Sequence, residues 1–254
     1  MAKRLFDLIA SVIAMVLLSP VYLIAAICIR MASPGPILYR ARRVGRGGEV
    51  FVMHKFRTMH VGSGSGSVIT GASDRRVFLA GRILRALKID ELPQFYDVLI
   101  GRMSIVGPRP EDPKIVDQYY TELGRETLEV APGLASPGSI YNYTHGHLCL
   151  DDSDAEKSYV TKLLPVKLAL ELVYVRRASL VYDLRIILRT VLTIVQIGFG
   201  KRRFAEPSEM AEARGILEDE ATQTVSVGGT SDARSKDSEG TKGGTADGRS
   251  SRKD

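Results

Sequence analysis

A long apolar run near the N-terminus constrains this chain of 254 residues more than any other feature. Residues 5–31 contain only Asp7 and Arg30 as charged side chains. One straight helix over this run would be roughly 40 Å long, more than the ~30 Å hydrocarbon core of a bilayer. Pro20 removes a backbone donor and clashes with the preceding turn, and the hydroxyl of Ser19 can satisfy a carbonyl that the break frees. The sequence therefore predicts a helix–break–helix over residues 1–33.

Basic residues on both sides of the run indicate how it meets a membrane. Lys3 and Arg4 precede it, and Arg30 is followed by three further arginines at positions 40, 42 and 43. Under the positive-inside rule both flanks prefer the cytoplasm, which a single span does not allow. We therefore expect a re-entrant hairpin that enters and leaves the membrane by its cytoplasmic face. An ordinary kinked transmembrane helix is the alternative that these features leave open.

The charge distribution points to an anionic partner. Lys and Arg outnumber Asp and Glu by 35 to 29, a formal net charge of +6. Residues 1–60 hold nine basic and two acidic residues, so this segment alone carries +7. Nucleic acid, an anionic lipid surface and phosphorylated small molecules all fit such a segment. Two cysteines are too few for a disulfide-stapled secreted domain.

The rest of the chain predicts an α+β fold that is mostly α-helical. Short apolar stretches on either side of Gly45–Gly48 are typical of a small β-hairpin. Residues 34–205 are expected to form a compact cytoplasmic catalytic domain, with a Gly/Ser-rich loop at 61–73 and a Pro/Gly loop at 132–138. Residues 206–254 are expected to be a largely disordered polar tail. Helices are predicted over 78–87, 91–100, 112–128, 157–176 and 179–199, and Pro165 is expected to kink the fourth of these or to divide it into two pieces.

The last of these helices has two interpretations. Asp183, Arg185 and Arg189 interrupt its apolar pattern, and the two arginines are four residues apart on one face. Such a stripe suits an amphipathic helix in the membrane interface. A buried amphipathic core helix fits the pattern equally well.

Two segments carry side chains suited to phosphate chemistry. Asp90 and Glu91 are adjacent, so one carboxylate can act as a nucleophile or base while the other holds a divalent cation, and Arg85 and Lys88 lie nearby to accept a phosphate. A solvated helix start is the alternative for this pair. Pro108 and Pro110 flank Arg109 and direct its guanidinium, which suits bidentate contact with a phosphate or a planar base, although a surface turn fits as well.

Together these segments resemble the small monotopic phosphoglycosyl transferases, a family of bacterial sugar transferases, over residues 3–200. The resemblance is carried by Ser19-Pro20, by Ile89-Asp-Glu-Leu-Pro-Gln94, by Met103-Ser-Ile-Val-Gly-Pro-Arg-Pro110 and by the shorter stretches Lys3–Asp7, Pro34–Pro36, Lys55–Met59, Pro132-Gly133 and Tyr174–Leu184. The sequence starts at the re-entrant segment, so the small form without additional N-terminal membrane helices is expected.

The resemblance implies a reaction and its residues. A sugar 1-phosphate passes from a UDP-sugar to polyprenyl (undecaprenyl) phosphate, UMP is released, and lipid-linked glycan synthesis begins. Asp90 would be the nucleophile that forms a covalent phosphosugar intermediate, Glu91 would help it to bind Mg²⁺, and Arg109 would contact the uridine nucleotide. The substrate-binding residues expected are Lys55, Arg57, Arg85, Pro108, Arg109 and Pro110.

The resemblance also sets expectations about partners. Membrane lipids are expected to contact the chain, downstream glycosyltransferases and a second copy of the chain are further partners to test, and nucleic acid is not expected. A catalytically silent membrane scaffold that recruits glycan-assembly enzymes is the alternative function. Asp97, Arg102 and residues 133–138 depart from the family's usual pattern, which leaves the sugar open.

Overall fold

A computed structural model describes residues 1–63, 74–151 and 154–222. Most of the predicted 61–73 loop and the predicted tail from 223 onward lie outside these ranges. The described part is mostly helical, as predicted, and it has two small sheets, of which the predicted hairpin is one. The strands are β1 (Leu38–Val44), β2 (Val50–Phe56), β3 (Ser104–Val106) and β4 (Gly133–Ala135). The helices are α1 (Ala2–Leu17), α2 (Ser19–Ala32), α3 (Leu79–Ala86), α4 (Gln94–Leu99), α5 (Pro113–Tyr119), α6 (Glu122–Arg125), α7 (Pro137–Cys149), α8 (Ala155–Ser158), α9 (Leu164–Arg177), α10 (Leu180–Gly198) and α11 (210–222).

The apolar run folds as two helices with the predicted break between them. The axes of α1 and α2 are bent by 60°. The Ser19 hydroxyl donates to the carbonyl oxygen of Val16 at 2.8 Å, and Pro20 lies in the first turn of α2, where its missing N–H leaves no bond unmade. Among the described helices no single one has the length and apolar composition to cross a membrane, whereas this bent pair passes that test together.

Helix α1 is joined to the rest of the protein by buried polar contacts. The Asp7 carboxylate is 3% exposed and accepts hydrogen bonds from the Ser104 hydroxyl at 2.9 Å and the Ile105 N–H at 3.1 Å. Arg4 donates to the carbonyl oxygens of Val98 and Leu99. The predicted hairpin of residues 1–33 is therefore attached to the predicted catalytic domain through the N-terminal half of α1.

Strands β1 and β2 form the predicted antiparallel hairpin, which is longer than the sequence indicated. Ala41 lies opposite Met53, and both side chains are buried. On the same face, Lys55 lies opposite Tyr39. The hairpin thus directs Lys55 inward, toward the segment that contains Asp90 and Glu91.

The predicted loop at 132–138 is instead a strand followed by the start of a helix. β4 pairs in parallel with β3, and the Ser136 hydroxyl caps α7 by accepting from the Ser139 N–H. A Cβ on Gly133 would lie 2.1 Å from the backbone nitrogen of Gly107, so only glycine allows these backbones to approach. The Pro/Gly composition therefore serves close strand pairing here rather than a loop.

Two long predicted helices are interrupted, the second of them close to Pro165 as expected. The predicted 112–128 helix ends at Tyr119 and restarts at Glu122, because Tyr120 is extended and the Thr121 hydroxyl caps the new helix. The predicted 157–176 helix contains a π-helical turn at Tyr159–Leu163, and Pro165 then occupies the first turn of α9. One long helix and two consecutive short helices have the same spacing of apolar residues, so sequence periodicity alone does not distinguish them.

The tail expected to start at residue 206 begins later. Met210, Ala213 and Ile216 of α11 are buried in one cluster with the α9 residues Ala169, Leu170, Leu172 and Val173. Glu209 joins the same region to α10, since its carboxylate accepts from Tyr182 Oη at 2.8 Å and from Arg189 Nη1 at 2.5 Å. Residues 210–222 thus form part of the folded domain, because α9 offers an apolar face that the tail's sparse apolar residues can cover.

Candidate active site

Asp90 and Glu91 lie in a short turn between α3 and α4. The turn, Ile89–Glu91, follows Lys88, whose backbone is left-handed with φ 56°. Asp90 and Glu91 are each 8% exposed, which excludes the alternative of a solvated helix start. Oδ1 of Asp90 is buried and has no hydrogen-bond partner among the described residues. A carboxylate oxygen in that condition is available to a ligand.

The turn that holds Arg109 is set by the two parallel strands. Pro108 follows β3 and its carbonyl oxygen accepts from the Gly133 N–H at 2.9 Å. The Arg109 N–H donates to Glu171 Oε1 at 3.2 Å. The Arg109 guanidinium then contacts both oxygens of Glu91, through Nη2 on Oε1 and through Nη1 on Oε2.

Three further cations surround the carboxylate pair. Lys55 Nζ lies 3.6 Å from Glu91 Oε1, and Arg85 donates from Nε to the Thr58 hydroxyl at 2.8 Å. Lys88 Nζ lies 3.8 Å from the centroid of the Tyr143 ring. With Arg109 this makes four cations around two carboxylates, so the site has excess positive charge.

The two carboxyl groups have different titration behaviour. Burial raises the pKa of Asp90, and the charge of Glu91 raises it further, against opposition from Lys55, Lys88 and Arg85. Burial also opposes ionisation of Glu91, but Arg109 and then Lys55 outweigh it, so the pKa of Glu91 lies well below its usual range. Burial lowers the pKa of Lys55 to about 8. The pKa of Glu91 is thus lowered and the pKa of Asp90 is raised, so Glu91 ionises more readily than Asp90.

The structure brings several of the predicted site residues together around the carboxylate pair and places one of them elsewhere. Lys55, Arg85 and Arg109 surround Asp90 and Glu91 as the sequence suggested, although Arg109 itself contacts Glu91. Arg57 lies elsewhere: it is 6% exposed, and its guanidinium donates to Ser33, Pro36 and Met59. Arg57 therefore holds the turn after α2 against the end of β2, and the prediction that it binds substrate has no support in these contacts.

Two residues of the site were not predicted from the sequence. Tyr143 Oη lies 3.3 Å from Glu91 Oε2 and 3.3 Å from Arg109 Nη1. Glu171 is 1% exposed and holds both the Arg109 N–H and the Ser136 hydroxyl on Oε1. These residues lie on α7 and α9, 52 and 80 positions beyond Glu91, and no local sequence signal connects them to it.

Asp97, which differs from the family's usual pattern, has a hydrogen-bonding partner in the structure. Asp97 is fully buried and accepts from the backbone N–H of His54 at 2.8 Å, and its Oδ1 lies 2.8 Å from His54 Nδ1. The carboxylate thereby attaches α4 to β2 immediately beside Lys55. Arg102, by contrast, is exposed, and nothing in its surroundings explains its identity.

Buried carboxylates with an unpartnered oxygen and surplus cations define a site for an anionic, phosphate-bearing substrate. Comparison with known sequences agrees with that class, since the profile of the bacterial sugar transferase family matches residues 1–197. The chain belongs to this family.

Several named relatives align with most of this chain. It is 37% identical over 203 residues to the UDP-N-acetylgalactosamine-undecaprenyl-phosphate N-acetylgalactosaminephosphotransferase of Aeromonas hydrophila, covering 79% of this chain and 45% of that protein. It is 36% identical over 196 residues to the UDP-glucose:undecaprenyl-phosphate glucose-1-phosphate transferase of Caulobacter vibrioides, covering 76% of this chain and 69% of that protein. The Rhizobium leguminosarum exopolysaccharide production protein PSS is 33% identical over 205 residues, 78% of this chain and 97% of its own length. The chain thus spans less than half of the Aeromonas protein and most or nearly all of the other two.

Proposed function

We propose that this protein transfers a sugar 1-phosphate from a UDP-sugar to undecaprenyl phosphate and releases UMP. The observation that carries the proposal is the buried, unpartnered Oδ1 of Asp90 inside a ring of four cations. The names of the relatives support the same donor and acceptor classes. They include both N-acetylgalactosamine and glucose transferases, so the sugar itself is to be determined by assay.

The proposed reaction has two displacements at one phosphorus atom. A carboxylate oxygen of Asp90 bonds to the phosphorus that bears the sugar, the bond from that phosphorus to the oxygen of UMP breaks, and UMP leaves with the electron pair. An oxygen of undecaprenyl phosphate then bonds to the same phosphorus and Asp90 leaves as a carboxylate. Near neutral pH the acceptor phosphate is largely ionised, since its second pKa is about 6, so neither step requires a protein base.

Lys55, Arg85 and Arg109 would stabilise the charge that moves between donor and leaving group. They are placed before the substrate arrives, by a strand, a helix and the Pro108–Pro110 turn respectively, so little reorganisation accompanies the reaction. Glu91 keeps Arg109 and Lys55 in place through the contacts described above. The proposal therefore gives Glu91 an organising part in addition to any metal contact.

Magnesium is proposed as the cofactor. Mg²⁺ in proteins is commonly bound by one or two carboxylates together with substrate phosphates, and Asp90 Oδ1 offers such a ligand. The oxygens of Glu91 already accept from Arg109 and Tyr143, so Glu91 would join only by exchanging one of these contacts. Bound there, the cation would neutralise diphosphate charge.

Membrane attachment at the cytoplasmic face is part of the proposal. Large apolar side chains are exposed on α1, α2, α3 and α10, and α3 packs against α2 and close to the end of α10 at Gly198. One face of α10 is buried through Ile186 while Leu184, Leu188, Val191 and Val195 are exposed, and Lys201–Arg203 follow it. Such a surface supports a monotopic anchor that brings the site to a lipid acceptor. Arg189 does not join a headgroup stripe with Arg185, because it is paired with Glu209.

The experiment is UMP release by the purified protein with undecaprenyl phosphate, Mg²⁺ and single UDP-sugars in turn. We expect release with one or two donors and a loss of at least about a thousandfold in Asp90→Asn, equivalent to ~4 kcal/mol of barrier. The matched control is Asp117→Asn, an exposed aspartate on α5 that should leave the rate unchanged. Chelation of Mg²⁺ with EDTA tests the cofactor in the same assay.

Activity that survives Asp90→Asn would contradict the covalent mechanism. Absence of release with every donor, while the protein still captures other glycan-assembly enzymes, would favour the scaffold alternative.

A further inference from the structure

The backbone of Lys88 is unusual at the entrance to the Asp90–Glu91 turn. With φ 56° and ψ 19°, it is the one non-glycine residue with positive φ in the described ranges. A side chain with a Cβ is disfavoured in this conformation, and glycine or asparagine would be the cheaper choice. Strained backbone of this kind concentrates at functional sites, where the surrounding structure holds it in place.

This backbone conformation places the Lys88 side chain over an active-site ring. Its Nζ lies 3.8 Å from the centroid of Tyr143, within the range of a cation–π contact. Tyr143 is itself held by Glu91 and Arg109 through its hydroxyl. The ammonium group is therefore kept next to the carboxylate pair rather than left to move in solvent.

Lys88 differs from the other cations of the site in what it contacts. Arg109 and Lys55 both approach Glu91, and Arg85 donates to Thr58. The Lys88 ammonium has no carboxylate oxygen within 4.0 Å and no hydrogen-bond acceptor among the residues that the structure describes. Glu91 and Asp90 attract it from beyond contact distance, but a partly buried ammonium that touches no acceptor has lost hydration that an anionic ligand would replace.

We propose that the Lys88 ammonium binds the diphosphate of the nucleotide-sugar donor. The inference rests on the proposed function for the identity of the donor. It adds a residue that binds the substrate before the reaction begins. An ammonium is a compact charge with three donors, which suits a phosphate oxygen better than a base or a sugar ring. Its place two residues before Asp90 puts this charge beside the phosphorus that would be attacked.

The test compares Lys88→Met, Lys88→Arg and Lys114→Met in the full-length, detergent-purified protein. Methionine keeps the length of the stem without the charge, arginine restores the charge, and Lys114 is an exposed lysine outside the site. UDP binding is measured by calorimetry, which needs no turnover, and KM is measured with the UDP-sugar that the protein uses. We expect Lys88→Met to weaken UDP roughly ten- to hundredfold and to raise KM by a similar factor. Lys88→Arg should recover most of the affinity, and Lys114→Met should match the wild type.

Unchanged UDP affinity and KM in Lys88→Met would overturn the proposal. Equal losses in Lys88→Met and Lys88→Arg, with a lower melting temperature in both, would also overturn it, because they indicate a structural role. A charge-dependent change in UDP affinity in a protein that never releases UMP would support the diphosphate site while refuting the proposed reaction. Failure of the wild-type protein to bind UDP at all would refute both.

Discussion

Glu171 shows how a single buried side chain can connect the site to the fold. Its carboxyl group is 1% exposed, one oxygen accepts from the Arg109 N–H and the Ser136 hydroxyl, and the other oxygen has no partner in the part of the chain that the structure describes. Burial raises the pKa of Glu171 to about 7, although Ser136, Lys167 and Arg109 oppose the shift. Arg109 cannot leave its position without disturbing this carboxyl group, so the turn and α9 are coupled.

The raised pKa of Glu171 predicts a dependence of stability on pH. Between pH 4.5, its ordinary pKa, and pH 7 the folded state keeps a proton that the unfolded state has released, so the free energy of unfolding falls as pH rises through this window. Glu171→Gln removes the ionisable group, so the free energy of unfolding of this variant does not fall for this reason as the pH rises. We expect its stability relative to wild type to increase by up to about 3 kcal/mol between pH 5 and pH 8, or roughly 6–12 °C in melting temperature.

The measurement is thermal unfolding of both proteins across that pH range, with the exposed Glu122→Gln as control. A constant offset between Glu171→Gln and wild type at every pH would refute the assignment. A constant offset would reflect only the side-chain amide group of glutamine, which lies where the second carboxylate oxygen was, and not the ionisation of Glu171.

At the level of elements, the break between α1 and α2 decides the course of the N-terminal segment. Pro20 cannot bond back to the preceding turn, and the Ser19 hydroxyl occupies the carbonyl of Val16 that the break exposes. The bend of 60° separates two helices that are individually too short to cross a bilayer.

Replacing both break residues, with Ser19→Ala and Pro20→Leu, should straighten the pair and move the N-terminus to the opposite side of the membrane. The combined helix would then be long enough to span. Labelling of a cysteine introduced at position 2 with a membrane-impermeant reagent reports its side, and Ser19→Ala alone is the milder control. An N-terminus that stays cytoplasmic in the double variant would count against the re-entrant hairpin.

At the scale of the whole molecule, α1 belongs to the same folded unit as the site. Asp7 receives the Ser104 hydroxyl and the Ile105 N–H, and these residues form β3, which leads directly to the Arg109 turn. Lys3 pairs with Asp183, whose other oxygen accepts from Tyr174. The predicted membrane segment therefore supports the position of the site.

Asp7→Ala should destabilise the whole protein rather than release the helix alone. The change leaves two buried donors without an acceptor, at a cost of about 1–3 kcal/mol each. We expect a loss of roughly 2–4 kcal/mol, or about 5–15 °C in melting temperature, with reduced UDP-sugar turnover near the new midpoint. Thermal unfolding in detergent measures this, with Asp117→Ala as the exposed control. A melting temperature within 1–2 °C of wild type, about the shift from half a kcal/mol, would show that α1 is dispensable to the domain.

The sequence by itself determined the features that depend on neighbouring residues. Ser19-Pro20 specified the helix break, the apolar stretches around Gly45–Gly48 specified the hairpin, and Asp90 with Glu91 specified a pair of carboxylates. Each of these follows from local backbone geometry or from adjacent side chains, so no distant contact is needed to predict it.

Only the tertiary structure decided which distant side chains meet. Tyr143 and Glu171 reach the site because α7 and α9 pack together, and the hydrogen bond from the Tyr174 hydroxyl to the Val106 carbonyl joins α9 to β3. The family resemblance predicts Arg57 as a substrate ligand, but the fold directs its guanidinium to backbone carbonyls of the turn after α2. The same basic residue type can bind a ligand or hold a turn, and the choice depends on which acceptors the folded chain brings within hydrogen-bonding distance.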